Sequence, residues 1–418
     1  MSSPRVAPVP LLPVLLRCLA ALLVLTGLGH TLRYGLDEPG VALVFGALVA
    51  AGELSRWRGA EGREQAPLGA AGGLAYALLG ECAGRSTAHG VPQVVAVVAV
   101  GALLGCAPHA ARGRGATADH LTRRVLTVAF AAVCFQPLHD SGRLLGWSGH
   151  ARVLLLVGLL VVTALCDAVL AAALARARTR WPYGPLLRDE LRGLLGIGSA
   201  VCATGVVMAV AVGVAGLWAL PVLSLPLLLT QLSFRRYAAV RTTYRQTIAS
   251  LARATEIAGY TPPGHARRVA ALSREVGREL GLGERELTVL EYAALMHDIG
   301  QLSLVDPVPA GATAGLPTAE QRRIALLGGA VVRQTGVDAE VAVVVECQAD
   351  PFREQPVGAR IVRAVNAYEE KTREAGPSGP LRALEELRLA TAHDYQPEVV
   401  ESLARVVARD GLTVPVVG

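Results

Sequence analysis

Two hydrophobic rhythms divide the chain. From residue 10 to residue 233 Leu, Val, Ala and Gly run almost unbroken between short polar gaps, whereas from Phe234 onward apolar residues recur at helical spacing among charged ones. A helix needs about 20 apolar residues to cross a bilayer. Stretches near 10–29, 38–55, 66–82, 91–108, 121–138, 153–175, 193–212 and 217–233 approach that length and predict about eight membrane spans. The fifth is short and comparatively polar, and the last two meet around Gly213 to Gly216, so seven or nine is the alternative count.

Beyond the last span, Phe234 to about Ala258 predicts a polar helix. Tyr237, Tyr244 and Leu251 stand seven apart, with Val240, Thr247 and Ala254 interleaved. That spacing resembles a short heptad seam through which two copies could pair as a homodimer. The alternative is one amphipathic helix packed on its own domain. Thr261-Pro262-Pro263-Gly264 breaks it, and a helix then starts near His265 with Val269, Leu272, Val276 and Leu280 on one face, ended by Gly281 and Gly283. The next, from about Glu284, turns Leu287, Leu290 and Ala294 inward. After a Pro/Gly-rich loop at 306–317, helical patterns recur around 318–334, 338–348, 356–375, 379–391 and 397–409, without strand alternation. The expected fold is all-α: a polytopic membrane domain over 1–233, a connector over 234–258, and a soluble helical domain over 259–418.

Composition sharpens this reading. The 418 residues are 52% hydrophobic with a mean hydropathy of +0.43, which excludes an ordinary soluble protein. The net charge of +6 is almost wholly arginine, since Lys371 is the only lysine, and no basic stripe with interleaved aromatics marks a nucleic-acid partner. Arg56, Arg58 and Arg63, then Arg112, Arg114, Arg123 and Arg124, then Arg176, Arg178, Arg180 and Arg188 fall on alternate loops. The positive-inside rule puts that side, both termini and the soluble domain in the cytoplasm of a multi-pass protein of the cell membrane. A signal peptide behind Arg5 is the alternative for the first span, but no small-x-small cleavage site follows it.

Cys18, Cys82, Cys106, Cys134, Cys166 and Cys202 lie in apolar runs without CxxC spacing, leaving Cys347 alone in the soluble half. This indicates neither a disulfide framework nor a zinc knuckle. Asp167, near the middle of the sixth span, would cost about 3 kcal/mol if charged and facing lipid, so it is expected to face the bundle interior as a ligand or proton site, or as a paired group that orders the bundle. Few ionisable residues lie within the spans, and no repeated Gly/Pro-broken segments suggest a transporter. Sensing or anchoring fits better.

The chemistry concentrates at His297-Asp298-Ile299-Gly300, preceded by His265. An imidazole beside a hard carboxylate suits a divalent Mn, Fe, Zn or Mg ion. Such an ion acidifies bound water into a nucleophile for phosphoester hydrolysis. Gly259-Tyr260-Thr261, Gly264-His265-Ala266-Arg267-Arg268-Val269, the His-Asp-Ile-Gly motif, Leu316-Pro317-Thr318-Ala319-Glu320, Ala359-Arg360-Ile361-Val362 and Gln396-Pro397-Glu398-Val399-Val400 follow one another in order. Together they resemble the HD phosphohydrolase superfamily, specifically its HD-GYP branch of cyclic-di-GMP phosphodiesterases, over roughly 245–410.

The resemblance implies that His265, His297 and Asp298 ligate a metal, with His297 and Asp298 central to catalysis. It places Asn366 where the family has its last metal-binding aspartate. Arg267 and Arg268 are the candidates to meet a substrate phosphate, with a solvated helix face as the alternative for Arg267. The departures are specific. A family lysine is Gln301 here, the following His-Pro falls at about Leu327-Gly328, and Glu346-Cys347-Gln348-Ala349-Asp350 occupies the neighbourhood of the paired histidines and Gly-Tyr-Pro loop. Asp350, Glu346 or Glu369 are the candidates for a replacement ligand oxygen, while His393-Asp394 reads as a solvated turn. Three functions follow: a phosphodiesterase acting on cyclic dinucleotides, an inactive HD domain binding a nucleotide or a protein, and a mononucleotide phosphohydrolase.

Overall fold

The computed structural model describes residues 11–58, 64–111, 118–144, 146–179, 181–306, 308, 311–376, 379–391 and 393–409. Arg5, Arg63, Arg112, Arg114 and Arg180, which enter the expected topology, lie outside the described residues. The chain forms two compact units, residues 1–239 and 240–418.

In the first unit the apolar runs become α1 (Leu11–Tyr34), α2 (Pro39–Leu54), α3 (Pro67–Ala77), α4 (Val91–Ala111), α5 (Ala118–Asp140), α6 (Gly149–Thr179), α7 (Tyr183–Gly193), α8 (Ser199–Ala215) and the first part of α9 (Ala219–Ile257). A π turn, Leu194–Gly198, joins α7 to α8, and Gly216, with φ 70°, makes the turn before α9. Among the described residues, five segments are long and apolar enough to cross a membrane: Leu11–Tyr34, Val91–Ala111, Ala118–Asp140, Gly149–Arg178 and Ser199–Ile257.

The expected count of about eight is therefore not confirmed. At 1.5 Å rise per residue, the 16 residues of α2 and 11 of α3 fall short of a hydrocarbon core of roughly 30 Å. Moreover, Ser199–Ile257 holds the expected last two spans in one segment. Two antiparallel ribbons of two residues per strand, Trp57–Arg58 with Glu64–Gln65 and Glu81–Cys82 with Arg85–Ser86, are the strands among the described residues.

Glycine lets these helices touch backbone to backbone. A Cβ on Gly52 would lie 2.1 Å from Gly69 N, one on Gly105 2.4 Å from Ala50 O, and one on Gly101 2.7 Å from Gly46 O. With lipid as apolar as leucine, close packing of this kind supplies much of the attraction between helices. It also seats a buried carboxylate: Glu53 accepts from Arg124 Nε at 3.0 Å and contacts His120 Nε2 at 2.8 Å. Asp167 on α6 is held by the Arg123 guanidinium and by Thr127 Oγ1 at 2.9 Å. It is thus a paired group inside the bundle.

The second unit is all helix. The later part of α9 buries Ile248 and Ala252 in its core, with Tyr244 and Leu251 half-buried against it. Then come α10 (His265–Glu279), α11 (Glu284–Met296), α12 (Thr318–Gln334), α13 (Ala339–Cys347), α14 (Val357–Glu374), α15 (Gly379–Leu389) and α16 (Pro397–Arg409). Val269, Val276, Leu287, Leu290, Val345, Ile361, Val365 and Leu403 meet in one core. α10 and α11 form the hairpin that their apolar faces predict, with Gly281 at φ 84° closing the first helix.

A second close approach fixes the turn after α11. A Cβ on Gly300 would stand 2.0 Å from Ile324 O and 2.7 Å from Gly328 N, so the short 3-10 turn Ile299–Ser303 lies directly on α12. Gly328, near which the sequence resemblance implies a His-Pro pair, contributes backbone to this contact and has no side chain to offer a ligand.

Candidate metal centre

Three elements build the site. His265 is the first residue of α10, and Gly264 before it takes φ 75°, a conformation that glycine adopts without strain. α11 ends at Met296, and the chain leaves helical geometry at Asp298, whose φ is −98° and ψ is 1°. Adjacent His297 and Asp298 thereby both turn inward, and Gln348 Nε2 pins the His297 carbonyl at 2.8 Å. α14 supplies the third wall, with Asn366, Glu369 and Glu370 on one face.

His265, His297 and Asp298 are all buried, each offering one ligand atom within 4.8 Å of the others. Asp298 Oδ2 lies 3.3 Å from His265 Nε2 and 3.2 Å from His297 Nε2. Neither approach has the alignment of a hydrogen bond, so all three atoms remain without a hydrogen-bond partner. The far side of each imidazole is fixed. His265 Nδ1 contacts Glu369 Oε2 at 2.6 Å and His297 Nδ1 contacts the Ala294 carbonyl at 2.8 Å. A proton on each Nδ1 leaves an Nε2 lone pair on each ring pointing at the same carboxylate oxygen, the arrangement by which metal-binding histidines are held.

The charges agree. Burial alone would raise the Asp298 carboxyl, but the facing His297 and His265 imidazoles overcome it and hold it far below the usual carboxylate range. Burial would lower His265, whereas the facing Asp298 carboxylate and the hydrogen-bonded Glu369 push it up to about 10. His297 is likewise raised against its own burial by Asp298. The pocket thus favours positive charge between its imidazoles and its carboxylate. Two nitrogens and one carboxylate oxygen, buried, convergent and otherwise unsatisfied, fit a divalent cation with open positions for water.

The other expected residues fall into distinct places. Asn366 lines the same small cavity as Asp298; its Nδ2 donates to Glu370 Oε1 at 2.9 Å and its Oδ1 is buried without a hydrogen-bond partner. A neutral oxygen therefore stands available in the cavity that Asp298 lines. Arg268, expected near a phosphate, is spent on Glu369 Oε1 through Nε at 2.9 Å and Nη2 at 2.6 Å, and on the Pro263 carbonyl at 3.0 Å. Glu369 in turn orients His265. Glu346 faces Arg333, and Asp350 lies 3.2 Å from Arg322, so both replacement carboxylates are drawn to arginines of α12. His393 and Asp394 are exposed.

Glu370 was not foreseen. It accepts from Thr313 N, Ala314 N and Asn366 Nδ2, while burial first and the Asp298 charge second raise its carboxyl above the ordinary value. The signal was the spacing Asn366, Glu369, Glu370, which puts three polar side chains on one face of a helix.

Residues 264–371 match the family model of the HD domain. The match begins at the glycine before His265, ends one residue past Glu370, and contains every ligand and orienting group described above. Residues 264–371 are thus similar to an HD domain, and the His/Asp cluster inside them is a possible metal site. No curated protein and no solved structure matches the chain.

Proposed function

We propose that the protein is a membrane-anchored signalling phosphohydrolase whose HD domain holds one divalent metal on His265 Nε2, His297 Nε2 and Asp298 Oδ2. The observation that carries this reading is the convergence of three buried, hydrogen-bond-orphaned ligand atoms on imidazoles fixed from behind. When bound, the metal supplies Lewis acidity and an acidified water as nucleophile. The chain's own part is to present both imidazoles as donors through Glu369 and Ala294 O, to balance cationic charge with Asp298, and to keep bulk water out. Asn366 Oδ1 serves as a neutral fourth ligand.

The substrate in this reading is a phosphodiester of the cyclic-dinucleotide class, supported by the ordered sequence landmarks. The membrane half senses or anchors, with the arginine-rich side and both termini cytoplasmic. Of the seam over 234–258, Tyr244 and Leu251 pack on the core of their own unit, so pairing of two copies falls to the end of the connector that exposes Tyr237 and Val240.

A specific observation favours a second reading, a domain that binds a nucleotide or protein without turnover. Asn366, whose neutral amide brings no charge to balance a cation, lines the cavity beside Asp298 at the place where the sequence resemblance implies a carboxylate.

Purified full-length protein in detergent, loaded in turn with Mn, Fe and Zn, separates the readings. Hydrolysis of cyclic di-GMP or bis(4-nitrophenyl) phosphate that disappears in folded Asp298→Ala supports the diesterase. Turnover confined to nucleoside monophosphates identifies a mononucleotide phosphohydrolase. Stoichiometric metal without any hydrolysis leaves the binding module, and absence of metal overturns the site itself.

A further inference from the structure

The first unit encloses a second polar site that the HD chemistry does not use. A cavity of about 450 Å³ lies among α3, α5, α6 and the π turn, lined by Leu74, Val128 and Val201 on its apolar walls and by Arg123, Arg124 and Asp167 on its polar one. That volume falls in the range of small-molecule sites, roughly 300–1,000 Å³. An ion pair such as Arg123–Asp167 can simply order a bundle, but two observations beside it point to an occupant.

The first is Thr163 on α6. It is 2% exposed, lines the cavity, and its hydroxyl has no hydrogen-bond partner, not even the carbonyl one turn back that a helical threonine ordinarily uses. The second is the π turn Leu194–Gly198, whose Leu194 and Gly198 form part of the wall. Such turns are rare, and they recur at functional sites.

The charges define what fits. Arg123 uses Nε and Nη2 on Asp167, and Arg124 uses Nε on Glu53 and Nη2 on the Ala66 carbonyl, so both cations are already neutralised while the Nη1 donors of each remain. An anionic ligand would have to displace a carboxylate or bring uncompensated charge into a low-dielectric interior. A hydrocarbon would leave the Thr163 hydroxyl and the Nη1 donors without acceptors. We propose that this cavity is a binding site for a neutral amphipathic molecule with a carbonyl-type acceptor head, which accepts from Thr163 and the arginine Nη1 groups and rests its apolar body on Leu74, Val128 and Val201.

The test uses full-length protein in lipid nanodiscs, with empty nanodiscs as blank, and three probes on one methylated ring: duroquinone, which has two carbonyl acceptors; durene, which has none; and 2,3,5,6-tetramethylbenzoate, which carries a charge. Calorimetric titration is expected to show saturable binding of duroquinone, with durene and the benzoate each at least about five-fold weaker, the equivalent of one lost hydrogen bond. Thr163→Val, which only removes an unpartnered hydroxyl, should weaken duroquinone about five-fold and leave durene unchanged. Ala164→Phe, which fills the cavity, should abolish binding, and if that variant does not fold Thr163→Val alone decides. Tightest binding by the benzoate would overturn the neutral-head assignment. No saturable binding, or equal uptake of all three probes by wild type and variants, would overturn the site.

Discussion

Replacing Glu369 with glutamine exchanges one oxygen for an amide NH2 and removes one charge, and the site has no slack to absorb either change. Glu369 Oε2 holds His265 Nδ1 at 2.6 Å, while Oε1 accepts both Nε and Nη2 of Arg268. A glutamine has one oxygen for these two donors. If it stays on Arg268, the His265 N–H faces an NH2 and the ring loses the bond that fixes its tautomer. If it turns to His265, Arg268 faces a donor and the imidazole loses the anion that strengthens its Nε2 as a ligand. Substituting a group that orients a metal ligand typically costs about 10–100-fold in affinity, or about 1.4–2.7 kcal/mol. We expect that loss for Glu369→Gln in competition against a chromophoric chelator, with the metal stoichiometry unchanged and the thermal midpoint of the metal-free protein lowered, because His265 and Arg268 lose a buried carboxylate partner. Glu401→Gln, on the exposed pair with Arg388, serves as control and should leave affinity within about two-fold. If folded Glu369→Gln also stays within about two-fold, His265 is not held through Glu369 or is not a ligand, and the metal centre as described fails.

Three other outcomes follow from the same geometry. Gly300→Ala should destabilise the HD unit by about 3 kcal/mol or more, because its Cβ would meet the backbone of Ile324 and Gly328 rather than a movable side chain; a thermal midpoint within about 2 °C of wild type would refute the packing. Without metal, His265, raised to about 10, contributes stability that is full below the ordinary imidazole value and is lost as pH rises toward about 10. A bound cation takes that proton's place, so binding should release protons and the apparent metal affinity should rise between pH 6 and 8; a flat profile in titrations repeated across buffers of different ionisation enthalpy would refute it. Asn366→Asp should tighten metal binding about ten-fold or more by adding a charged oxygen, yet lower the melting temperature of metal-free protein, since the new carboxylate would face Glu370 where an amide N–H now donates. Unchanged affinity would remove Asn366 from the ligand set.

How far the sequence could be read differs between the halves for a physical reason. In the second half, helices alternate apolar and polar residues at a period that burial imposes, so expected segments at 318–334 and 397–409 coincide with α12 and α16, and those at 338–348 and 356–375 with α13 and α14 to within a residue or so at each end. In the apolar first half both faces of a helix are apolar, and composition cannot distinguish a helix long enough to cross a membrane from a shorter buried one. The run at 66–82 thus yields only α3, Pro67–Ala77, with a small ribbon after it.

The sequence by itself determined the two-part hydropathy of the chain, the all-helical character of its second half, and His265, His297 and Asp298 as a candidate metal-binding set, because residue type and spacing carry hydropathy and ligand chemistry. Only the tertiary structure decided what each remaining polar residue does. It turned Arg268 onto Glu369 and Glu346 onto Arg333, brought Glu370 beside Asn366, and set Thr163 against a cavity. These are contacts between residues distant in sequence or on separate helices, and their partners are chosen by how the helices cross, which no local pattern encodes.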